Sequence, residues 1–428
     1  MPDTPEQPQK SKMAEREEQI LAFWQSDNTF KKTLEKKSPR GEFVFYDGPP
    51  FATGLPHYGH ILAGTIKDVI PRFKTMQGYR VPRRWGWDCH GLPVENEVEK
   101  ELGFKSKKDI ENYGIGKFNA KAKEAVMRYA DDWRRIIPRM GRWVDMDNDY
   151  RTMDPSYTES VWWIFKTLHD KGLISQGFKS MHLCPRCETT LSNFEVTQGY
   201  KELTDTSVYV KFRLLSQANT FFVAWTTTPW TLPGNAALAV HPERDYTFVE
   251  ITASNANEIP AGDTFIVGAK EEILKRVFSA EGGPASGWEF DPASRVGTFV
   301  WKGEEVAFSA KKGVKGKELI GQSYEPLFDY YSSPLRSDLK SGERSDLSKG
   351  WRVYGGEFVT EEDGTGVVHI APAFGEDDYR LAVKEKLPFI QHVGTDGTMR
   401  SEVADFAGLS AKPKGNPKET DEKIAGVL

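Results

Sequence analysis

The stretch Asp47-Gly-Pro-Pro-Phe-Ala-Thr-Gly-Leu-Pro-His57-Tyr-Gly-His60 leaves this chain few ways to fold. Pro49, Pro50 and Pro56 fix φ and remove backbone N–H groups, while Gly48 and Gly54 let the backbone approach a ligand closely, so the stretch reads as a turn. Ahead of it, Glu42-Phe-Val-Phe-Tyr46 is aromatic and β-branched, which predicts a buried strand of a parallel sheet. Behind it, Ile61, Leu62, Ile66, Val69, Ile70 and Phe73 recur at helical spacing and predict a helix from about Tyr58, with Pro71 expected to kink it or end it early. His57 and His60 then fall at a helix N-terminus, where the dipole and the free N–H groups favour an anion such as phosphate. Two imidazoles there can donate hydrogen bonds to a phosphoryl group as its charge builds. Taken alone, His-x-Gly-His reads first as a capping accident or part of a metal site.

The run from Tyr79 to Trp87 predicts a second strand, which would close a right-handed βαβ-like unit over a crevice and leave Asp88 at its carboxyl end. A carboxylate placed so can hold an α-amino group, with Pro49 and nearby apolar surface as a wall for a branched side chain; the alternative is an N-cap. An opening helix is expected over about Met13–Gln25, with Ile20, Phe23 and Trp24 as its apolar stripe, and a long helix from Ile115 to about Met140. Asp154-Pro155 reads as an N-cap with proline at N1, opening a helix whose Val161, Trp162, Phe165 and Leu168 face a core and which stops at Gly172.

From about Gln198 the pattern changes. Ser207–Phe212, Thr220–Trp225 and Tyr246–Ile251 are short β-type runs separated by turns, which predicts a β-barrel-like domain. Within it Trp225-Thr-Thr-Thr-Pro-Trp-Thr-Leu-Pro-Gly-Asn235 gathers hydroxyls, and Gly364-Thr-Gly-Val-Val-His369-Ile-Ala-Pro-Ala-Phe-Gly-Glu-Asp-Asp378 offers an imidazole and then an acidic turn. Threonine runs are ordinary in strands and acidic turns are ordinary caps. Residues 279 to 350 are rich in Gly, Ser, Pro and charge and predict surface loops with a few strands, with Ser332–Ser348 the most mobile part. A short helix is expected near the end of the 411–428 stretch.

A length of 428 residues suggests two or three domains. Net charge is −5, which argues against a protein coated in nucleic acid but allows local basic faces such as Arg80, Arg83 and Arg84, or Lys311, Lys312, Lys315 and Lys317. No apolar run spans a bilayer, and the polar Met1–Lys12 stretch lacks an apolar signal region, so the sequence reads as a cytoplasmic protein with a frayed N-terminus and no membrane partner. The three cysteines, Cys89, Cys184 and Cys187, are too few for a disulfide framework. Cys184-Pro-Arg-Cys187 can offer two thiolates to zinc, which is half of a tetrahedral site; a redox pair is the alternative.

Taken together, these motifs identify the chain as resembling the class I aminoacyl-tRNA synthetases. His57-Tyr-Gly-His60 is similar to that family's His-Ile-Gly-His signature, and Gly86-Trp-Asp-Cys-His-Gly-Leu-Pro-Val-Glu95 looks like the second fingerprint of its isoleucine-specific branch. The threonine-rich and His369–Asp378 stretches resemble the editing domain inserted in the isoleucyl, valyl and leucyl branches. The resemblance implies an α/β fold: a Rossmann-like nucleotide-binding half with an inserted β-barrel-like editing domain. It divides the chain into an N-terminal extension and helix (1–40), the first half of the catalytic domain with the Cys-x-x-Cys knuckle (41–197), the editing domain (198–395) and a return segment (396–428). It implies ATP with Mg2+, isoleucine as substrate, tRNA(Ile) as partner and a monomer. His57 and His60 would be catalytic; Gly48, Pro49, Pro50 and Gly59 would join them at ATP; Pro49 and Asp88 would hold the amino acid. Thr226, Thr227 and Thr228 would line the editing pocket, His369 would sense side-chain size and Asp378 would hold the amino group. Zinc on Cys184 and Cys187 is expected of a full-length relative, which supplies a second pair. A Lys-Met-Ser-Lys-Ser-like loop and an anticodon-binding region are missing, so the chain reads as a fragment, with a stand-alone aminoacyl-tRNA deacylase or an inactive tRNA-binding module as alternatives.

Overall fold

The computed structural model describes residues 10–177, 179–278, 287–332 and 347–428. Most of the Ser332–Ser348 stretch therefore lies outside the described residues. The chain forms two compact units, Met1–Gly177 and Phe178–Leu428.

The first unit is mainly helical around a short parallel strand pair, Arg84–Trp87 beside Asp145–Arg151. The expected strand at 42–46 does not form: Glu42 makes one parallel bridge to Arg80, and Phe51 another to Asp88. Pro49, Pro50 and Pro82 supply no N–H to a ladder, so pairing in the anticipated parallel sense shrinks to isolated bridges and the second strand starts late, at Arg84. Trp85 and Trp87 share one strand face and meet Trp133 there, with ring centroids 6.0 and 6.1 Å from it, forming the unit's buried aromatic core. Gly86 faces the other way, under the ring of Tyr150 on the neighbouring strand.

The opening helix runs Lys12–Ser26 and the signature helix Tyr58–Met76. Pro71 neither ends the latter nor leaves its own carbonyl idle, since Thr75 Oγ1 donates to it at 2.8 Å. The long helix expected from Ile115 is two, Ile115–Ala125 and Ala130–Arg139, broken where the Tyr129 N–H turns to the carbonyl of Ala52 at 3.1 Å. Pro155–Asp170 begins and ends as anticipated, with Gly172 at φ +70°. The expectation that its stripe faces a core is wrong: Val161, Trp162, Phe165 and Leu168 are exposed, as are Leu62, Ile66, Val69 and Phe73 of the signature helix. Helical period shows which residues share a face and not what covers it. Ile20 and Phe23 are exposed likewise, whereas Trp24 stacks edge-on to Trp143 at 5.1 Å.

In the second unit the anticipated strands appear as Val208–Arg213, Thr220–Thr226 and Asp245–Ala253. They belong to a sheet whose order is Glu289–Asp291, Val296–Trp301, Glu304–Ala310, Asp245–Ala253, Thr264–Gly268, Thr220–Thr226 and Val208–Arg213, with Val314–Lys315 added to Asp245–Ala253. The two end strands do not pair with each other, so the sheet is open and the barrel expectation is corrected. Within this sheet, among the described residues, only the pairing of Thr220–Thr226 with Thr264–Gly268 is parallel. Successive residues of these strands enter two different cores: Phe222 and Ile266 pack with Phe212 and Tyr324, while Val223, Phe265 and Val267 pack with Phe299 and Phe308. Burial on both faces explains why these runs are continuously apolar instead of alternating. A smaller sheet places Ala237–Val240 between Val353–Gly355 and Val367–Ile370. The expected closing helix is Glu419–Val427. No helix among the described residues is long and apolar enough to cross a membrane.

A Cβ on Gly86 would lie 2.1 Å from the Tyr150 ring, so Gly86→Ala must displace that ring from the strand pair. The expected cost is about 1–3 kcal/mol of stability, read as a lower denaturant midpoint; an unchanged midpoint would show that Tyr150 does not occupy this seat.

Candidate functional sites

In the first unit, His57 is the N-cap of the signature helix. Its Nδ1 accepts the Gly59 N–H at 3.1 Å, and Nδ1 of His60 accepts the His57 N–H at 3.2 Å. Gly59 is required for this fold-back, because a Cβ there would come 2.9 Å from the His57 ring. Each imidazole thus uses Nδ1 as an acceptor, and in the neutral form each carries its proton on Nε2. The rings stack 3.7 Å apart, and His60 meets Trp133 edge-on at 4.9 Å. Burial first, then the nearby His57 and Lys67, pushes the His60 pKa down, so its neutral form is favoured.

The turn before them is pinned from several sides. Asp47 pairs with Lys67 at 2.5 Å and with Arg142, and Lys67 also donates to the Gly48 carbonyl at 3.2 Å. The Trp133 indole N–H donates to the Gly54 carbonyl at 2.8 Å. The Asp88 N–H donates to the Pro50 carbonyl at 2.9 Å, which brings Asp88 beside the Pro49–Phe51 turn. Asp88 is not an N-cap: that position belongs to Gly91, and among the described residues the Asp88 carboxylate accepts the His90 N–H at 3.4 Å.

The second unit joins the threonine-rich stretch to His369. Residues Pro229–Gly234 form a short 3-10 turn. Thr231 Oγ1 lies 2.8 Å from His369 Nε2 and donates to the Thr228 carbonyl at 2.8 Å. Asn235 Nδ2 donates to the Ala237 carbonyl at 3.0 Å, which fixes that atom as the amide nitrogen, and it also donates to His369 Nδ1 at 3.1 Å. Tyr324 completes the circuit by donating to Asn235 Oδ1 at 2.7 Å. His369 is therefore held in its Nε2–H tautomer with both ring nitrogens engaged. Thr226 and Thr228 hydroxyls sit 3.2 Å apart, whereas Thr227 is exposed. Asp378 lies in the first turn of the helix Glu376–Glu385 and accepts the Ala371 N–H at 2.8 Å. The sequence pattern did not single out Thr231, Asn235, Tyr324 or the buried His392; of these only Thr231 and Asn235 stood inside a quoted motif.

Cys184 and Cys187 occupy a small hairpin, with the Cys187 N–H donating to Cys184 Sγ at 3.3 Å. Among the described residues no group of three or more His, Cys, Asp and Glu could hold a metal ion, so the residues present do not fit a four-ligand zinc site. The basic clusters also read differently in three dimensions. Lys311 and Lys315 pair with Glu250 and Asp245, Arg80 pairs with Glu42, and Arg83 is buried over Trp143.

The family model for tRNA synthetases class I (I, L, M and V) matches residues 19–382. The chain belongs to that family. It is 42% identical to the isoleucine–tRNA ligase of Treponema denticola over 94% of this chain and 36% of that protein, and 44% identical to that of Chlamydia trachomatis over 93% and 34%. Isoleucine–tRNA ligase 2 of Pseudomonas fluorescens is 46% identical over 96% and 35%. The chain thus spans about a third of the length of these relatives.

Burial pushes His369 and His392 down to about 4 and Asp378 up to about 6. Between those values and their ordinary ones, unfolding takes up protons at the histidines, so stability falls with acid from about pH 6.5. Asp378 acts oppositely: its protonated native form adds stability that is full below pH 3.8 and lost as pH rises through about 6. Near pH 5 the three leave about one extra proton on the unfolded chain, a slope of about 1.4 kcal/mol per pH unit. Urea unfolding between about pH 4.5 and 6 should show stability rising with pH, and Asp378→Asn should steepen the rise by roughly one further proton. An unaltered slope in the variant would contradict the raised carboxyl.

Proposed function

We propose that this chain carries two centres of an isoleucine–tRNA ligase: one in Met1–Gly177 that activates isoleucine with ATP, and one in Phe178–Leu428 that hydrolyses valine wrongly attached to tRNA(Ile). The observation that carries the reading is that His57 and His60 each spend Nδ1 on a backbone N–H, leaving two Nε2–H donors at one helix N-terminus. Relatives at 42–46% identity supply the specificity.

In the first centre the isoleucine carboxylate attacks the α-phosphorus of ATP, a P–O bond forms, and the bond to pyrophosphate breaks. His57 and His60 would stabilise the charge on the pentavalent phosphorus, as neutral N–H donors that need no rearrangement. Gly48, Pro49, Pro50 and Gly59 would line the nucleotide, and Pro49 and Asp88 the amino acid, with the Asp88 carboxylate on its ammonium. Mg2+ accompanying ATP would offset the phosphate charge. A ribose hydroxyl of the 3′ adenosine of tRNA then attacks the aminoacyl carbonyl, the ester forms, and AMP leaves with the bonding pair of the mixed-anhydride C–O bond. This chemistry would take place in the cytoplasm, with 1–40 as an extension, 41–197 as the first part of the catalytic domain, 198–395 as the core of the editing domain and 396–428 as a return segment that still packs on it.

The second centre is needed because one missing methylene yields only about 1–3 kcal/mol of discrimination, a range for which isoleucine against valine in this enzyme class is the standing illustration. Thr226, Thr227 and Thr228 would border the mischarged ester. His369, neutral and with both nitrogens occupied, would act as a wall that senses side-chain size and not as a base. Asp378 would hold the valyl ammonium.

Asp378→Ala should cut hydrolysis of Val-tRNA(Ile) by an amount equivalent to about 2–5 kcal/mol, because the ammonium loses its charged partner in a dry site. A folded variant, checked by melting, that hydrolyses normally would remove the role. Isoleucine-dependent ATP–pyrophosphate exchange measured beside it tests the first centre: His60→Ala in a full-length chain carrying this region should abolish exchange and spare deacylation. Exchange at the parent rate would overturn the assignment, and deacylation without exchange in the unsubstituted chain would favour a deacylase alone.

A further inference from the structure

We propose that the segment after the editing motifs, residues 390–424, is a working part of the hydrolytic site, because His392 and Asp421 grip Trp230 from both sides and so position Thr231 against His369. The inference rests on the hydrolytic reading of this unit, and it starts from a local deficit in the turn Pro229–Gly234. In a 3-10 turn the carbonyl of one residue pairs with the N–H three positions on. For Trp230 that position is Pro233, which has no N–H, so the Trp230 carbonyl is orphaned by the sequence itself. The Trp230 N–H, in the first turn, has no partner inside the turn either.

Both deficits are met from far along the chain. His392 Nε2 lies 2.8 Å from the Trp230 carbonyl, and since a carbonyl only accepts, Nε2 carries the proton. His392 is fully buried; its Nδ1, left as a bare lone pair, has no partner among the described residues and points at Gly234, where a Cβ would lie 2.5 Å away. Phe374, from the loop between His369 and Asp378, packs edge-on against both Trp230 and His392, at 5.1 and 4.8 Å. Asp421, fully buried on the closing helix, accepts the Trp230 N–H at 2.8 Å through Oδ1 and pairs with Lys412 at 2.6 Å through Oδ2; Lys412 also pairs with Asp205 at 2.6 Å. The peptide groups on either side of the Trp230 α-carbon are thus fixed, and the next residue is Thr231, which meets His369 Nε2. His392 and Asp421 are positioning residues, acting through Trp230 and Thr231.

The test uses the whole chain, labelled with 15N at histidine, and two readouts. Ring resonances should show His369 as a slowly exchanging Nε2–H. In His392→Ala and Asp421→Ala its exchange should quicken at least tenfold, while His392→Gln, which restores a donor, and Asp421→Asn, which restores an acceptor, should return it to within threefold of the parent. Hydrolysis of Val-tRNA(Ile) should follow the same order, with kcat falling at least tenfold and KM moving less than threefold. Folded alanine variants with parent-like His369 exchange would overturn the proposal, as would conservative variants that behave like the alanines. A chain whose His369 responds as expected yet hydrolyses no mischarged tRNA would uphold the positioning and refute the hydrolytic reading.

Discussion

A carbonyl that proline has deprived of its hydrogen-bond donor must find one elsewhere when it is buried, and the second candidate site grows from that requirement. In the 229–234 turn, Pro233 orphans the Trp230 carbonyl, and the partner is His392, 162 residues away. In the 47–57 turn the prolines prevent a ladder, and the loop is instead held by side chains and single backbone contacts: Lys67 on Gly48, Tyr129 on Ala52, Trp133 on Gly54. Unmet, the buried Ala52 carbonyl, or the Trp230 carbonyl beside the fully buried His392, would cost roughly 1–3 kcal/mol, while the bonds to the exposed Gly48 and Gly54 contribute less. The turns in turn set where His57, His60 and Thr231 stand.

The two sites use imidazole in opposite ways, and hydrogen bonds decide which. Among the described residues His57 and His60 commit only Nδ1, and the second nitrogen of each remains a donor at a helix N-terminus. His369 commits both nitrogens, to Asn235 and Thr231, and burial holds its pKa at about 4. The first arrangement suits stabilisation of developing negative charge, while the second makes a rigid polar wall that stays neutral throughout the physiological range. Asp378 shows the converse effect, since the same burial that lowers an imidazole raises a carboxyl.

What the sequence determined by itself was local. The cap at His57, the helices at Lys12–Ser26, Tyr58–Met76 and Pro155–Asp170, the stop at Gly172, and the strands Val208–Arg213, Thr220–Thr226 and Asp245–Ala253 follow from periodicity, proline and glycine acting over a few residues. Which face meets a core was not local: the stripe of Val161, Trp162 and Phe165 has the right spacing yet is exposed, and the helix expected through Tyr129 is broken by a carbonyl from residue 52. Closure of the sheet was likewise decided by the pairing of strands far apart in the chain, and it stays open. The threonine cluster and His369 were legible as motifs, but their joining through Thr231, Asn235 and Tyr324 was not, nor were His392 and Asp421. Only tertiary structure could choose those partners, because an orphaned carbonyl specifies that a donor must come without specifying from where, and packing alone settles which distant side chain reaches it.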